Sequence, residues 1–156
     1  MTRGRALFFG ALTVGVLDLL DAFVFWYVRA NLRGVQLLRV PQGIAAGLLG
    51  RDAARAGGWA TAGLGTLLHF FNATIVVLVF YLASRRLPFL VQRPGLYGPL
   101  YGIVVFTVMY YVVIPLSAIT PSPMPTAVLV NGILIHLVGV GLPAALFARA
   151  AHKAAS

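Results

Sequence analysis

The chain alternates between long apolar segments and short polar connections. Four of the segments are as long as a membrane-spanning helix, which needs about 20 apolar residues to cross the hydrocarbon core. These segments cover residues 6–28, 59–84, 95–116 and 126–150. The pattern predicts an all-α fold: a polytopic four-transmembrane-helix bundle that forms one domain, with both termini on the same side of the membrane.

The first connection contains one more apolar segment, residues 41–50. Pro41 suits a first helical turn and Gly50 suits a helix end. Because this segment is too short to cross a bilayer, we predict a short interfacial or re-entrant helix between the first and second spans. The third connection, residues 117–127, is rich in proline and carries no charge, which predicts a stiff extended loop.

Composition indicates a protein that contacts membrane lipid. Apolar residues make up 60% of the 156 residues and charged residues 10%, and the mean hydropathy is +0.93. Most of the basic residues lie between the apolar segments, so the net charge of +9 indicates contact with lipid headgroups and not with nucleic acid. The absence of cysteine excludes disulfides, thiolate metal sites and cysteine nucleophiles.

The basic residues are unevenly divided between the two sides of the predicted bundle. Those on the side of the termini are Arg3, Arg5, Arg85, Arg86, Arg93, Arg149 and Lys153. Those on the opposite side are Arg29, Arg33, Arg39, Arg51 and Arg55. The positive-inside rule therefore predicts cytoplasmic termini. Aromatic residues near the span ends are predicted to anchor the helices at the membrane interfaces: Trp26, Tyr27, Trp59, Tyr81, Tyr97 and Tyr101.

Each span carries a polar residue at a similar depth. Asp18 lies ten residues before the end of the first span, and His69 lies ten residues after the start of the second. Thr107 lies nine residues before the end of the third span, and His136 lies ten after the start of the fourth. At a rise of about 1.5 Å per residue, these four residues are expected within about one helical turn of a common plane.

Two further polar residues extend this set. Asp21 follows Asp18 by three residues and Asn72 follows His69 by three, so each pair is expected to share a helix face. The sequence therefore predicts a polar intramembrane layer made of Asp18, Asp21, His69, Asn72, Thr107 and His136.

The layer has four interpretations. In the first interpretation, the polar residues only hold the helices of the bundle together by hydrogen bonds. A carboxylate and two imidazoles in one plane also provide what a proton relay requires. His69 and His136 can supply both axial ligands of a b-type haem, and together with Asp18 they can supply three ligands to zinc. No phosphate-binding loop, dinucleotide fingerprint, serine-hydrolase elbow or HExxH motif occurs, so no catalytic residue is predicted.

Several stretches resemble those of a widespread group of short bacterial four-helix membrane proteins: DLLDAF, QGIAAGLLGRDAARAGG, LLHFFNAT, YLASRRLPFL, VVIPLSA and LIHLVGVGLPAALFARA. More distantly, the second half is similar to YagU-type inner-membrane proteins, through His69, the proline-rich third connection and His136. The resemblance implies a small multi-pass bundle in the bacterial inner membrane and carries over no catalytic residue.

These observations predict a small, non-enzymatic inner-membrane protein that handles protons, ions or small solutes through its Asp/His layer. The alternatives are a haem protein and an accessory or assembly subunit of a larger membrane complex. Four helices leave little room for a substrate path, so a homo-oligomer is a further expectation.

Overall fold

The structure is a computed structural model that describes residues 1–29, 34–120 and 123–154. Within these ranges the chain forms helices and no β-strand. The α-helices are α1 (Arg3–Arg29), α2 (Arg39–Leu49), α3 (Arg51–Ala56), α4 (Gly58–Arg86), α5 (Phe89–Gln92), α6 (Pro94–Val108), α7 (Thr126–Ile135) and α8 (Leu142–Lys153). Arg33 of the first connection and Pro121 of the third lie outside the described residues.

Shorter helical segments of other types complete the spans. A 3₁₀-helix, Gly34–Leu38, leads into α2. A π-helical segment that we call π1, Met109–Val113, continues α6, and a second one, π2, His136–Gly141, joins α7 to α8. Four continuous helices are long and apolar enough to cross a membrane: Arg3–Arg29, Gly58–Arg86, Pro94–Val113 and Thr126–Lys153. The predicted all-α four-span bundle is confirmed, and the chain has the architecture of a multi-pass membrane protein.

The bundle has two different ends. We call the end that carries the start of α1, the end of α8 and residues 86–94 the terminal end, and the end that carries residues 34–58 and 113–120 the loop end. Small residues pack the terminal half tightly: α8 lies against α1, α4 and α6, and its Ala144, Ala145, Ala148 and Ala151 are fully buried. Because lipid offers no hydrophobic drive for helix association, such close van der Waals packing is what holds the helices together.

A close backbone contact joins α6 to π2. A Cβ on Gly102 would collide with the backbone carbonyl of His136, and a Cβ on Gly141 would collide with backbone atoms of Gly98 and Gly102. The glycines of these spans therefore serve packing within the chain. Their contact determines how close π2, and with it His136, lies to α6.

The short helix α2 packs into the bundle instead of lying on its surface. Pro41 and Gln42 are buried, and a Cβ on Gly65 of α4 would collide with the backbone carbonyl of Pro41. Gln42 Nε2 also donates to the carbonyl of Gly58 at 3.0 Å, at the start of α4. Gly65 lies seven residues into α4, which is about 10 Å along the helix axis. The predicted short helix is therefore present, and it is docked against the first turns of α4.

The third connection differs from the extended loop predicted for it. Ser117 Oγ donates to the carbonyl of Ile114 at 2.7 Å and accepts from the N–H of Ile119 at 3.2 Å, which closes a turn. The N–H of Ala118 donates to the carbonyl of Gly47 on α2 at 2.8 Å. The prediction is wrong for residues 117–120 because the prolines follow this stretch and do not constrain it. The connection folds back over α2 at the loop end.

Two aromatic residues predicted at the membrane interface lie inside the bundle. The hydroxyl of Tyr101 donates to the carbonyl of Val76 on α4 at 2.8 Å, and its ring meets Phe80 edge-on at 5.0 Å between centroids. Tyr81 is 7% exposed and its ring lies 5.3 Å from that of His152. The anchoring prediction is wrong for Tyr81 and Tyr101, since position in a span indicates the depth of a side chain but not the direction in which it points.

Gly65→Ala is expected to weaken the docking of α2, because the added methyl group would meet the Pro41 carbonyl and overpacking of this kind costs about 1–3 kcal/mol. Gly63→Ala is the matched control, since a Cβ at Gly63 has no atom of another residue near it. Thermal unfolding of both variants in lipid nanodiscs measures the difference. Equal midpoints for the two variants would contradict the docking of α2 at Gly65.

Candidate functional site

A cavity of about 350 Å³, which we call the central cavity, lies in the half of the bundle toward the loop end. Asp18 of α1, His69 and Asn72 of α4 and His136 of π2 all line it. Most of the remaining wall is aliphatic, aromatic or thioether: Val14, Leu19, Ala22, Trp26, Val40, Ile44, Ala73, Val76, Val105, Phe106, Met109, Tyr110, Ile114, Met124 and Val140. An apolar pocket with a few convergent polar groups is the usual form of a small-ligand site.

His69 is held between two groups of α1. Its Nε2 lies 2.8 Å from the backbone carbonyl oxygen of Gly15, and because a carbonyl only accepts, Nε2 carries the hydrogen of the neutral ring. Its Nδ1 lies 4.0 Å from Oδ2 of Asp18, which is too far for a hydrogen bond. The missing side chain at Gly15 permits this approach, since Phe70 packs where a Cβ would lie. The neutral His69 ring therefore keeps its Nδ1 lone pair beside a carboxylate.

His136 uses the opposite ring nitrogen. Its Nδ1 lies 2.8 Å from the carbonyl oxygen of Gly132, one turn earlier in the same span, so Nδ1 carries the hydrogen of the neutral ring. Phe106 of α6 meets the imidazole edge-on at 5.4 Å between centroids and also fills the space beside Gly132. The ring is thus oriented by its own helix on one side and by Phe106 on the other, and Nε2 keeps its lone pair.

Both π-helical segments border the central cavity. Met109 and Tyr110 belong to π1, and His136 and Val140 belong to π2. A π-turn contains an extra residue and rotates the side chains that follow it, and such turns occur frequently at functional sites. Two π-turns on neighbouring helices border one cavity. This arrangement favours a functional site over a polar layer that only holds the helices together.

A second cavity of about 350 Å³, the outer cavity, adjoins the first at the loop end. The two cavities share Trp26, Tyr110, Ile114 and Met124 in their walls. Arg51 of α3 and residues of the third connection complete the outer cavity. On the other side, the packed alanines of α8 close the bundle. The two cavities are therefore contiguous on the side of the loop end.

Asp21 does not line the central cavity. Its Oδ2 accepts a hydrogen bond from Nδ2 of Asn131 on α7 at 2.6 Å, in a groove between α1 and α7 that also contains Arg29. Side chains three residues apart on a helix point about 60° apart. That angle is sufficient for Asp18 to face α4 while Asp21 faces α7. Asn131 was missed, although an amide inside an apolar segment is a signal that sequence reasoning can use.

Thr107 does not line the central cavity either. It is exposed, and its Oγ1 donates to the carbonyl of Ile103 on its own helix at 2.8 Å. The expectation that Thr107 joins the other polar side chains is wrong, because spacing along the chain predicts depth and not the face of the helix.

The cavity does not fit zinc or haem. Among the described residues, no group of three His, Cys, Asp or Glu side chains is close enough to hold a metal ion, so Asp18, His69 and His136 do not form the predicted zinc site. A cavity of about 350 Å³ is too small for a porphyrin. The haem interpretation is therefore not supported by the volume of the cavity.

Another buried polar pair lies in the terminal half. Ser84 Oγ is 2.8 Å from Nε2 of His152 and 2.7 Å from the carbonyl of Tyr81. The carbonyl takes the hydroxyl hydrogen, so His152 donates to Ser84 and the pair ties α8 to α4 without activating the serine. Sequence reasoning missed this pair, because both residues lie at the ends of the predicted spans and nothing in their spacing relates them.

No protein-family model, curated protein or solved structure matches the chain. The similarity to short bacterial four-helix membrane proteins and to YagU-type proteins stays a prediction. Function is therefore inferred from the cavity itself.

The three histidines are expected to differ in their neutral tautomers. His69 and His152 donate through Nε2, whereas His136 donates through Nδ1. Two-bond ¹⁵N–¹H correlation spectra of histidine-labelled protein, recorded at a pH where the rings are neutral, distinguish the two forms. Single His→Gln variants assign each signal. A neutral His136 ring with its hydrogen on Nε2 would contradict the geometry of the site.

Proposed function

We propose that the protein binds protons and small solutes in the central cavity, as a small non-enzymatic membrane bundle. One observation carries the proposal: Asp18, His69 and His136 line a single cavity, and the hydrogen bonds among the described residues leave an acceptor available on each. The imidazoles keep one lone pair each beyond their backbone hydrogen bonds. Within the described part of the chain, the group nearest to pairing with the Asp18 carboxylate is His69, at 4.0 Å.

Other polar pairs in the same bundle support this interpretation by contrast. Asp21 and Asn131 are joined at 2.6 Å, and Ser84 and His152 at 2.8 Å. Polar groups that only hold helices together are expected to be satisfied in this way, because an unpaired group in a membrane is costly. The 4.0 Å separation of Asp18 and His69 differs from both pairs. One proton taken up at the Asp18 carboxylate would let the carboxyl group donate to the lone pair on His69 Nδ1, so that the two groups pair.

The groups that would share such a proton are few. The titratable side chains that line the central cavity are Asp18 from α1, His69 from α4, Tyr110 from π1 and His136 from π2. Histidine changes its charge near neutral pH, and its charge in a membrane responds strongly to a nearby carboxylate. Asp18 and His69 are therefore the expected primary proton site, with His136 as the second base.

Access from one side suggests how the site exchanges with its surroundings. The outer cavity adjoins the central cavity at the loop end, and the alanine-packed half separates the site from the terminal end. We place the protein in the bacterial inner membrane with cytoplasmic termini, as the distribution of basic residues favours. In that orientation the site draws protons and solutes from outside the cytoplasm.

Infrared difference spectroscopy on acidification tests proton binding directly. The chain has three carboxylic side chains, Asp18, Asp21 and Asp52. We expect the carbonyl-stretch band of a protonated carboxyl group in the wild type, its loss in Asp18→Asn, and its retention in Asp21→Asn and Asp52→Asn.

Thr107→Val, changed on an exposed side chain, should keep the band. The proposal is wrong if Asp18→Asn leaves the infrared band unchanged.

Cysteine accessibility tests the route to the site, since the natural chain contains no cysteine. Met124→Cys and Asn72→Cys should react with a small membrane-impermeant thiol reagent added at the loop end. Ala144→Cys, placed in the fully packed half, is the control and should remain unmodified. Modification of Asn72→Cys from the terminal end alone would reverse the proposed access.

Assembly with a second copy or with a larger membrane complex is the alternative. The groove containing Asp21, Asn131 and Arg29 supports it, because charged and polar groups between α1 and α7 would be better satisfied against another protein than against lipid. In that case the protein would co-purify with a partner, and Asp21→Asn would weaken the association while leaving proton binding at Asp18 intact.

A further inference from the structure

We infer that the solute of the central cavity is a compact organic ammonium ion, a protonated amine with a small apolar body. This inference rests on the proposed function and names the class of solute. It follows from the polarity of the groups that line the cavity, from the nature of its walls and from its volume.

Acceptors predominate among Asp18, His69 and His136, while Asn72 and Tyr110 each offer a donor as well as an acceptor. Backbone carbonyls occupy the N–H groups of both imidazoles, which leaves the lone pairs of His69 Nδ1 and His136 Nε2. Asp18 adds a carboxylate. The complementary ligand group is a donor with several N–H bonds and a positive charge, which is the description of a primary ammonium group.

Charge distinguishes the ammonium ion from other donors. Asp18 is the carboxylate of the central cavity, and its side chain is 28% exposed while that of His69 is 12% exposed. A neutral alcohol could donate a hydrogen bond but would leave the carboxylate charge uncompensated at low dielectric. An anion would be repelled. Arg51 lines only the outer cavity and is exposed to solvent, where its charge is screened.

The walls fit the rest of such a molecule. Trp26, Phe106 and Tyr110 supply aromatic rings, which attract cations at their faces and pack against apolar groups. Met109 and Met124 add flexible thioether side chains that can adapt to a ligand. A volume of about 350 Å³ is near the lower limit of small-ligand pockets, about 300–1,000 Å³. The cavity therefore suits one aromatic or branched aliphatic group on a short chain.

Fluorescence of Trp26 provides the test. Trp59 is 75% exposed, so Trp59→Phe leaves Trp26 as the single tryptophan with little effect on packing. In nanodiscs of zwitterionic lipid, this variant is titrated with 2-phenylethylammonium, 2-phenylethanol and phenylacetate. These probes carry a similar ring with a cationic, neutral or anionic group.

We expect saturable binding of the ammonium probe, binding of the alcohol weaker by about tenfold or more, and no binding of the carboxylate. Adding Asp18→Asn should remove the preference for the ammonium ion, whereas Asp21→Asn, a change outside the cavity, should retain it. Equal binding of alcohol and amine, or an unchanged preference in Asp18→Asn, would overturn the inference. If the infrared band of Asp18 persists while the amine fails to bind, the ligand class is wrong and the proton site stands; if both are absent, both proposals fail.

Discussion

Close packing of small residues in the terminal half of the bundle is the constraint from which the rest of the structure follows. The α8 alanines and the glycine contact between α6 and π2 bring the helix backbones together there. Larger side chains at Trp26, Phe106 and Tyr110 occupy the other half. Helices that meet closely at one end and are separated by bulky residues at the other enclose a space, so the central cavity results from the distribution of side-chain size along the spans.

The same small residues orient the chemistry. Gly15 lets the His69 ring reach a main-chain carbonyl, and Gly102 brings α6 onto the carbonyl of His136. Each imidazole is held by a backbone group that cannot titrate. Helix packing, and not another ionisable side chain, therefore determines which ring nitrogen of each histidine keeps its lone pair. This distinguishes the site from a pair of groups that merely neutralise each other.

The sequence predicted the spans well, because hydropathy over twenty residues reports directly on the cost of burying a segment in lipid. It also predicted that Asp18, His69 and His136 lie at one depth, since the rise of a helix is constant. Direction around the helix axis was harder to predict. Thr107 points outward and Asp21 points to Asn131, and π2 shifts the phase of α8 in a way that no hydropathy pattern reveals. The docking of α2 depends on the absence of a single Cβ at Gly65, which sequence alone does not distinguish from the open position at Gly63.

The π2 segment has a mechanical consequence. It begins at His136 in the wall of the cavity and ends immediately before the alanines of α8. If a π-turn became regular α-helix, the residues after it would rotate around the helix axis by about 100°, which is the angle between successive residues. Such a change would turn the alanine face of α8 away from α1 and α4 and would open the half of the bundle that is now closed. One helical irregularity thus joins the histidine in the cavity wall to the packed half of the bundle on the opposite side.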